Sequence, residues 1–112
     1  MQLLVYIMKK TERLPQVLAG FMREGISGTT VLDSQGALQL VHQNGVDDPP
    51  IFGSLRRFLN PQGTAEKMIL VVLEDELCEK AFRVIRDTVE IDQPDTGIFF
   101  TLPVSHVEGL AK

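Results

Sequence analysis

Four short segments read as strands: Leu3–Met8, Thr29–Asp33, Met68–Leu73 and Ile98–Val104. Each is rich in Val, Ile, Leu, Phe or Thr and is bounded by charges or breakers. In the first, Leu3, Val5 and Ile7 point one way and Leu4, Tyr6 and Met8 the other. In the third, Met68, Leu70 and Val72 oppose Ile69, Val71 and Leu73; in the fourth, Ile98 and Phe100 oppose Phe99. A sheet with one wet face alternates apolar and polar residues. These strands carry apolar side chains on both faces.

Two segments switch to helical spacing. Leu14, Val17, Leu18, Phe21 and Met22 fall at i, i+3, i+4, i+7 and i+8, one apolar stripe. Pro15 suits its first turn and Gly25 its stop. Cys78, Ala81, Phe82, Ile85 and Val89 repeat the stripe. Glu74-Asp75-Glu76 places acid at the start of that second helix, where the helix dipole favours it. The order β-α-β, a long gap, then β-α-β predicts an α+β, ferredoxin-like sandwich. In it a four-stranded antiparallel sheet carries both helices on one face. The other face is then apolar and uncovered, and self-association is the simplest way to cover it. The alternative is that the long connection or the C-terminal tail folds across it.

That connection, residues 36–66, is too long for an ordinary turn; such gaps are usually functional or disordered. It holds Asn44-Gly45 and Asp47-Asp48-Pro49-Pro50. Phe52, Leu55, Phe58 and Leu59 follow helical spacing, with Arg56 and Arg57 on the opposite side. A short amphipathic helix there packs on its own domain or a neighbouring subunit, or else docks on a partner protein. Arg56 and Arg57 are candidate anion ligands.

Composition narrows the picture. The 112 residues make one domain, 1–112. An apolar fraction of 44% excludes disorder by composition, and a net charge of −4 argues against nucleic acid. The single cysteine, Cys78, excludes an intrachain disulfide and any cysteine-based metal spacing. It is expected to be a small core residue. The apolar start, Met1–Met8, is too short to span a membrane and has its lysines after it, unlike a signal peptide. A cytoplasmic location is expected.

Several residues, in order, resemble the nitrogen-regulatory PII signalling family. They are Leu14-Pro15-Gln16-Val17-Leu18, then Gly25-Ile26-Ser27-Gly28-Thr29-Thr30-Val31, then Thr96-Gly97-Ile98-Phe99-Phe100 and Leu102-Pro103-Val104. The resemblance implies a homotrimer with its sheets facing the threefold axis. It implies a non-enzymatic regulator that binds a small ligand, such as an adenine nucleotide, in clefts between subunits. Residues 36–66 would be the regulatory loop that docks on a target protein. It aligns Thr30 with a ligand-contacting threonine and Gly36 with a loop-base glycine, and Thr96 and Gly97 are further candidate ligand-binding residues.

The chain departs from the family pattern at the phosphate loop. Glu90-Ile91-Asp92-Gln93-Pro94-Asp95-Thr96-Gly97 holds one glycine, no lysine and three acids. A Gly-rich turn ending in Lys cradles phosphate through backbone N–H groups and charge; this segment does not supply those parts. Glu108-Gly109-Leu110 stands where basic residues follow the last strand in typical members. The one tyrosine, Tyr6, lies in the first strand, so the family's loop tyrosine modification does not carry over. The chain is expected to be a divergent member.

Other chemistry is thin. His42 and His106 could join a metal site with Asp47, Asp48 or Asp95, but their spacing is not that of a ligand set. The second function considered is a trimeric structural or metal-linked protein resembling copper-tolerance trimers. No nucleophile, triad or paired-acid motif is present.

Overall fold

The computed structural model describes residues 1–37 and 66–110. Strand β1 is Gln2–Met8, helix α1 Leu14–Arg23, β2 Thr30–Ser34, β3 Glu66–Leu73, α2 Asp75–Thr88 and β4 Gly97–Pro103. A 3-10 turn, Thr11–Arg13, leads into α1. The sheet order is β2-β3-β1-β4, and every neighbouring pair is antiparallel. This is an α+β fold of four strands and two helices, compatible with the ferredoxin-like arrangement. The proposed short helix within 51–59 lies outside the described residues.

The expected strands are found with shifts of one or two residues at their ends. Directly paired residues share a face, so the register assigns the two apolar sets. Leu4 pairs with Val71 and Tyr6 with Ile69 and Phe99. Leu4, Tyr6, Met8, Ile69, Val71 and Leu73 are buried together with Val17 and Phe21 of α1 and Cys78, Ala81 and Ile85 of α2. Both helices therefore pack on this face. Phe99 stands edge-on to Tyr6, with ring centroids 6.2 Å apart, and lies 5.4 Å from the Phe82 ring.

Helix α1 ends as its sequence suggests. Gly25 adopts φ 79°, Ile26 N–H donates to Phe21 O at 2.8 Å and Gly25 N–H to Met22 O at 3.1 Å. This pair of bonds is a Schellman stop. Ile26, next to Gly25, is itself buried in the core. One expectation fails: Met22 is 73% exposed and does not belong to the buried stripe. Gly20 is buried in its place, and a Cβ there would lie 2.6 Å from Val84 Cγ1 of α2. The close approach of the helices at this glycine sets the rotation of α1. At about 100° per residue, Met22 then points about 140° away from Val17.

Candidate functional site

The second set of strand positions forms a continuous apolar face away from the helices. Leu3 pairs with Val72 and Leu102, Val5 with Leu70 and Phe100, and Ile7 with Met68 and Ile98. On β2, Thr30 pairs with Leu70 and Leu32 with Met68. Leu32, Ile98, Phe100 and Leu102 are between 41% and 57% exposed. A patch with four large exposed side chains around a row of half-buried ones exceeds what single exposed apolar residues account for.

One end of the sheet gathers the charges and the root of the long connection. Ser34 pairs with Glu66, Asp33 with Lys67, Lys67 with Met8, and Met8 with Gly97. Lys67 Nζ is ion-paired with Asp33 Oδ1, and Lys9 Nζ lies 3.3 Å from Asp95 Oδ1. Gly36 sits against Glu66: a Cβ on it would come within 3.0 Å of Glu66 Oε1. The two limbs of the connection thus meet where β2 ends and β3 begins.

The candidate ligand residues are distributed as follows. Thr30 is exposed and sits on the apolar face at the sheet edge, at the start of β2 and paired with Leu70. Gly36 is at the charged end. Thr96 is 3% exposed, and its hydroxyl donates within the turn before β4, to Gln93 O at 3.0 Å and Ile91 O at 3.2 Å. It stabilises the 90–97 turn. Gly97 has φ 120°, and a Cβ there would be 2.2 Å from Ile7 O, so the β1–β4 pairing needs a glycine. Arg56 and Arg57 lie outside the described residues, as does His42. Gly36 and Gly97 share one end of the sheet but are separated by three strand spacings, about 14 Å. Within one chain they do not meet.

His106 Nε2 is 2.6 Å from Glu108 Oε2, an exposed pair in the tail. Among the described residues no three of His, Cys, Asp and Glu cluster as a metal would need. Cys78 lies in the core; burial, and then the nearby Asp75 carboxylate, push its thiol pKa up, away from a reactive thiolate. Tyr6 is fully buried, and desolvation pushes its phenol up to about 12. Among the described residues its hydroxyl has no hydrogen-bond partner.

Among the described residues, two clefts lie away from the middle of the apolar face. One, about 290 Å³, is lined by Lys10, Arg13 and Arg86 but also by Glu12, Asp87 and Glu90. Its charges balance, and Arg13 is already committed to Thr88 O at 3.2 Å. The other, about 470 Å³, lies between the α1–β2 turn, the start of α2 and the C-terminal tail. Sequence periodicity had no means of finding it, because it is built from turns. No helix among the described residues is long and apolar enough to cross a membrane. No protein-family model matches the chain, and no curated protein matches it at a significant level.

Proposed function

We propose that the protein is a non-enzymatic, PII-like regulator that works as a homotrimer. Its subunits bury the apolar sheet face against one another. They bind a small ligand, in the first instance an adenine nucleotide, in the clefts between them, and the connection 36–66 docks on a target protein. The apolar face carries the reading. Ten apolar side chains, Leu3, Val5, Ile7, Leu32, Met68, Leu70, Val72, Ile98, Phe100 and Leu102, share it by register. Water contact with that surface is unfavourable by roughly 25 cal/mol per Å², and a second copy presents the same surface in return.

Oligomerisation also supports the ligand reading. The loop root at Gly36 and the turn at Thr96–Gly97 are too far apart in one chain to share a small ligand. Neighbouring copies around an axis bring one chain's edge strand β2 towards another's β4. The absence of a phosphate-cradling lysine from 90–97 predicts weak phosphate contacts, so ligand affinity rests on the base and ribose.

Two measurements test this. Sedimentation velocity at micromolar concentration is expected to give a trimer, and a stable monomer overturns the proposal. A thermal-shift series with ATP, ADP, AMP and cyclic dinucleotides is expected to raise Tm for at least one, since ligand binding to the folded state stabilises it. A trimer that none of them stabilises removes the nucleotide from the reading and leaves the assembly.

A further inference from the structure

Helix α2 ends against its own electrostatics. The negative end of a helix dipole favours cations, yet Asp87 stands in the last turn of α2 and Glu90 just beyond it. Ile85 O accepts from Val89 N–H, and Thr88 O from the Arg13 guanidinium. The other two carbonyls of that turn, Arg86 O and Asp87 O, accept no hydrogen bond among the described residues. A local rule broken with no evident gain in stability is expected at functional positions.

This helix end opens onto the cleft of about 290 Å³, on whose lining Asp87, Glu90 and Glu12 stand with Lys10, Arg13 and Arg86. None of these six charges forms an ion pair among the described residues. Beside them Lys9 and Asp95 do pair, at 3.3 Å. Two of the cations are held by other contacts. Arg13 is fixed on Thr88 O at 3.2 Å, and Arg86 lies over the Phe82 ring, 5.9 Å from its centroid. Both signs of charge therefore remain unneutralised around one small space. Thr96 completes the wall although it is only 3% exposed. Its hydroxyl proton is donated inside the 90–97 turn, so its oxygen meets the cleft as an acceptor.

We propose that this cleft binds a small zwitterion, a free α-amino acid with a short polar side chain. The ammonium group, a three-fold donor, is matched by Asp87, Glu90, the unbonded carbonyls of α2 and Thr96 Oγ1. The carboxylate is matched by Lys10, Arg86 and the guanidinium N–H groups that Arg13 does not spend on Thr88 O. An amine alone leaves the cations unmatched, and a simple anion meets the carboxylates and the negative helix end. The volume lies at the lower end of ligand sites, roughly 300–1,000 Å³, which suits a molecule of few atoms. Val89 is the one aliphatic residue on the lining, so a large apolar side chain finds no matching surface.

The probe is L-serine, titrated into the 15N-labelled full chain and followed by amide chemical shifts. Saturable shifts are expected at residues 10–13 and 86–90, and none at 25–28 beside the other cleft. Ethanolamine lacks the carboxylate and 3-hydroxypropionate lacks the ammonium; each is expected to bind at least about tenfold more weakly. Arg86→Gln and Asp87→Asn, with circular-dichroism melts checked, are each expected to weaken L-serine binding at least about tenfold. Lys80→Gln, an exposed charge on α2 outside the cleft, should leave it unchanged. Absence of saturable shifts at the cleft overturns the proposal. Equal affinity for ethanolamine makes this a cation site, and equal affinity for 3-hydroxypropionate an anion site; either overturns the zwitterion. Binding indifferent to both Arg86→Gln and Asp87→Asn overturns the location. The cleft lies within one chain, so no readout depends on the sheet faces associating or on a nucleotide.

Discussion

Tyr6 shows how a single side chain conflicts with its surroundings. Its ring is fully buried between the sheet and the helices and meets Phe99 edge-on. Its hydroxyl makes no hydrogen bond among the described residues. A buried, unpaired hydroxyl costs roughly 1–3 kcal/mol relative to a satisfied one. Tyr6→Phe keeps the ring contacts and removes the unpaired group. It is expected to leave stability unchanged or raise it by about 1 kcal/mol, measured by urea unfolding at pH 7. The pH dependence has a defined sign. Burial raises the phenol pKa to about 12 from the ordinary 10.0, so the folded state holds its proton where the unfolded chain has lost it. Stability is unaffected below pH 10 and is lost as pH rises through 10 towards 12, by about 2–3 kcal/mol in total. Urea midpoints between pH 9 and 12 should fall in the native protein and fall less in Tyr6→Phe. Parallel curves for the two would show that the phenol ionises freely in the folded chain.

Among the elements, α1 and α2 meet where Gly20 faces Val84, with no room for a methyl group. Gly20→Ala normally favours a helix by roughly 1 kcal/mol, yet the added Cβ would stand 2.6 Å from Val84 Cγ1. Overpacking of this kind costs roughly 1–3 kcal/mol, so the clash should outweigh the propensity gain. A lower urea midpoint is expected for Gly20→Ala, with recovery on adding Val84→Ala. A single mutant as stable as the parent would show that the helices separate freely. This contact also explains what the sequence conveyed and what it did not. The strands were legible because apolar residues occupy both alternating sets of positions, and the stop of α1 because Gly25 supplies the left-handed residue. The rotation of α1 was not legible. Leu14, Leu18 and Met22 drew the apparent stripe towards Met22, while a glycine, which carries no hydropathy signal, decided which side packs. Thr96 was similar: it resembles a ligand residue in sequence, and its hydroxyl is spent inside the turn on Gln93 O and Ile91 O. The cleft by the tail, made of glycines and turn backbone, left no periodic trace at all.

For the whole molecule, the deciding feature is a sheet with helices on one side and apolar side chains on both. Phe100 lies midway along the edge strand β4, across from Val5 on the face that neither described helix covers, and is 41% exposed. A charge placed there meets water in a free subunit and an apolar partner in an assembly. Burying an unpaired carboxylate costs several kcal/mol, and closed symmetry repeats that cost at every interface. Phe100→Asp is therefore expected to yield a folded monomer: sedimentation should shift to the single-chain mass while circular dichroism keeps its helix and strand signal. Its thermal midpoint should be lower and independent of concentration, whereas the parent's should rise with concentration because association stabilises the folded state. Met22→Ser, at a 73% exposed position on α1 away from the sheet, serves as the control and should leave the assembly intact. If Phe100→Asp sediments like the parent, the face is covered from within the same chain, and the intersubunit ligand clefts fall with the trimer. If it forms the monomer and nucleotide-induced stabilisation disappears with the assembly, the ligand site requires the assembled protein.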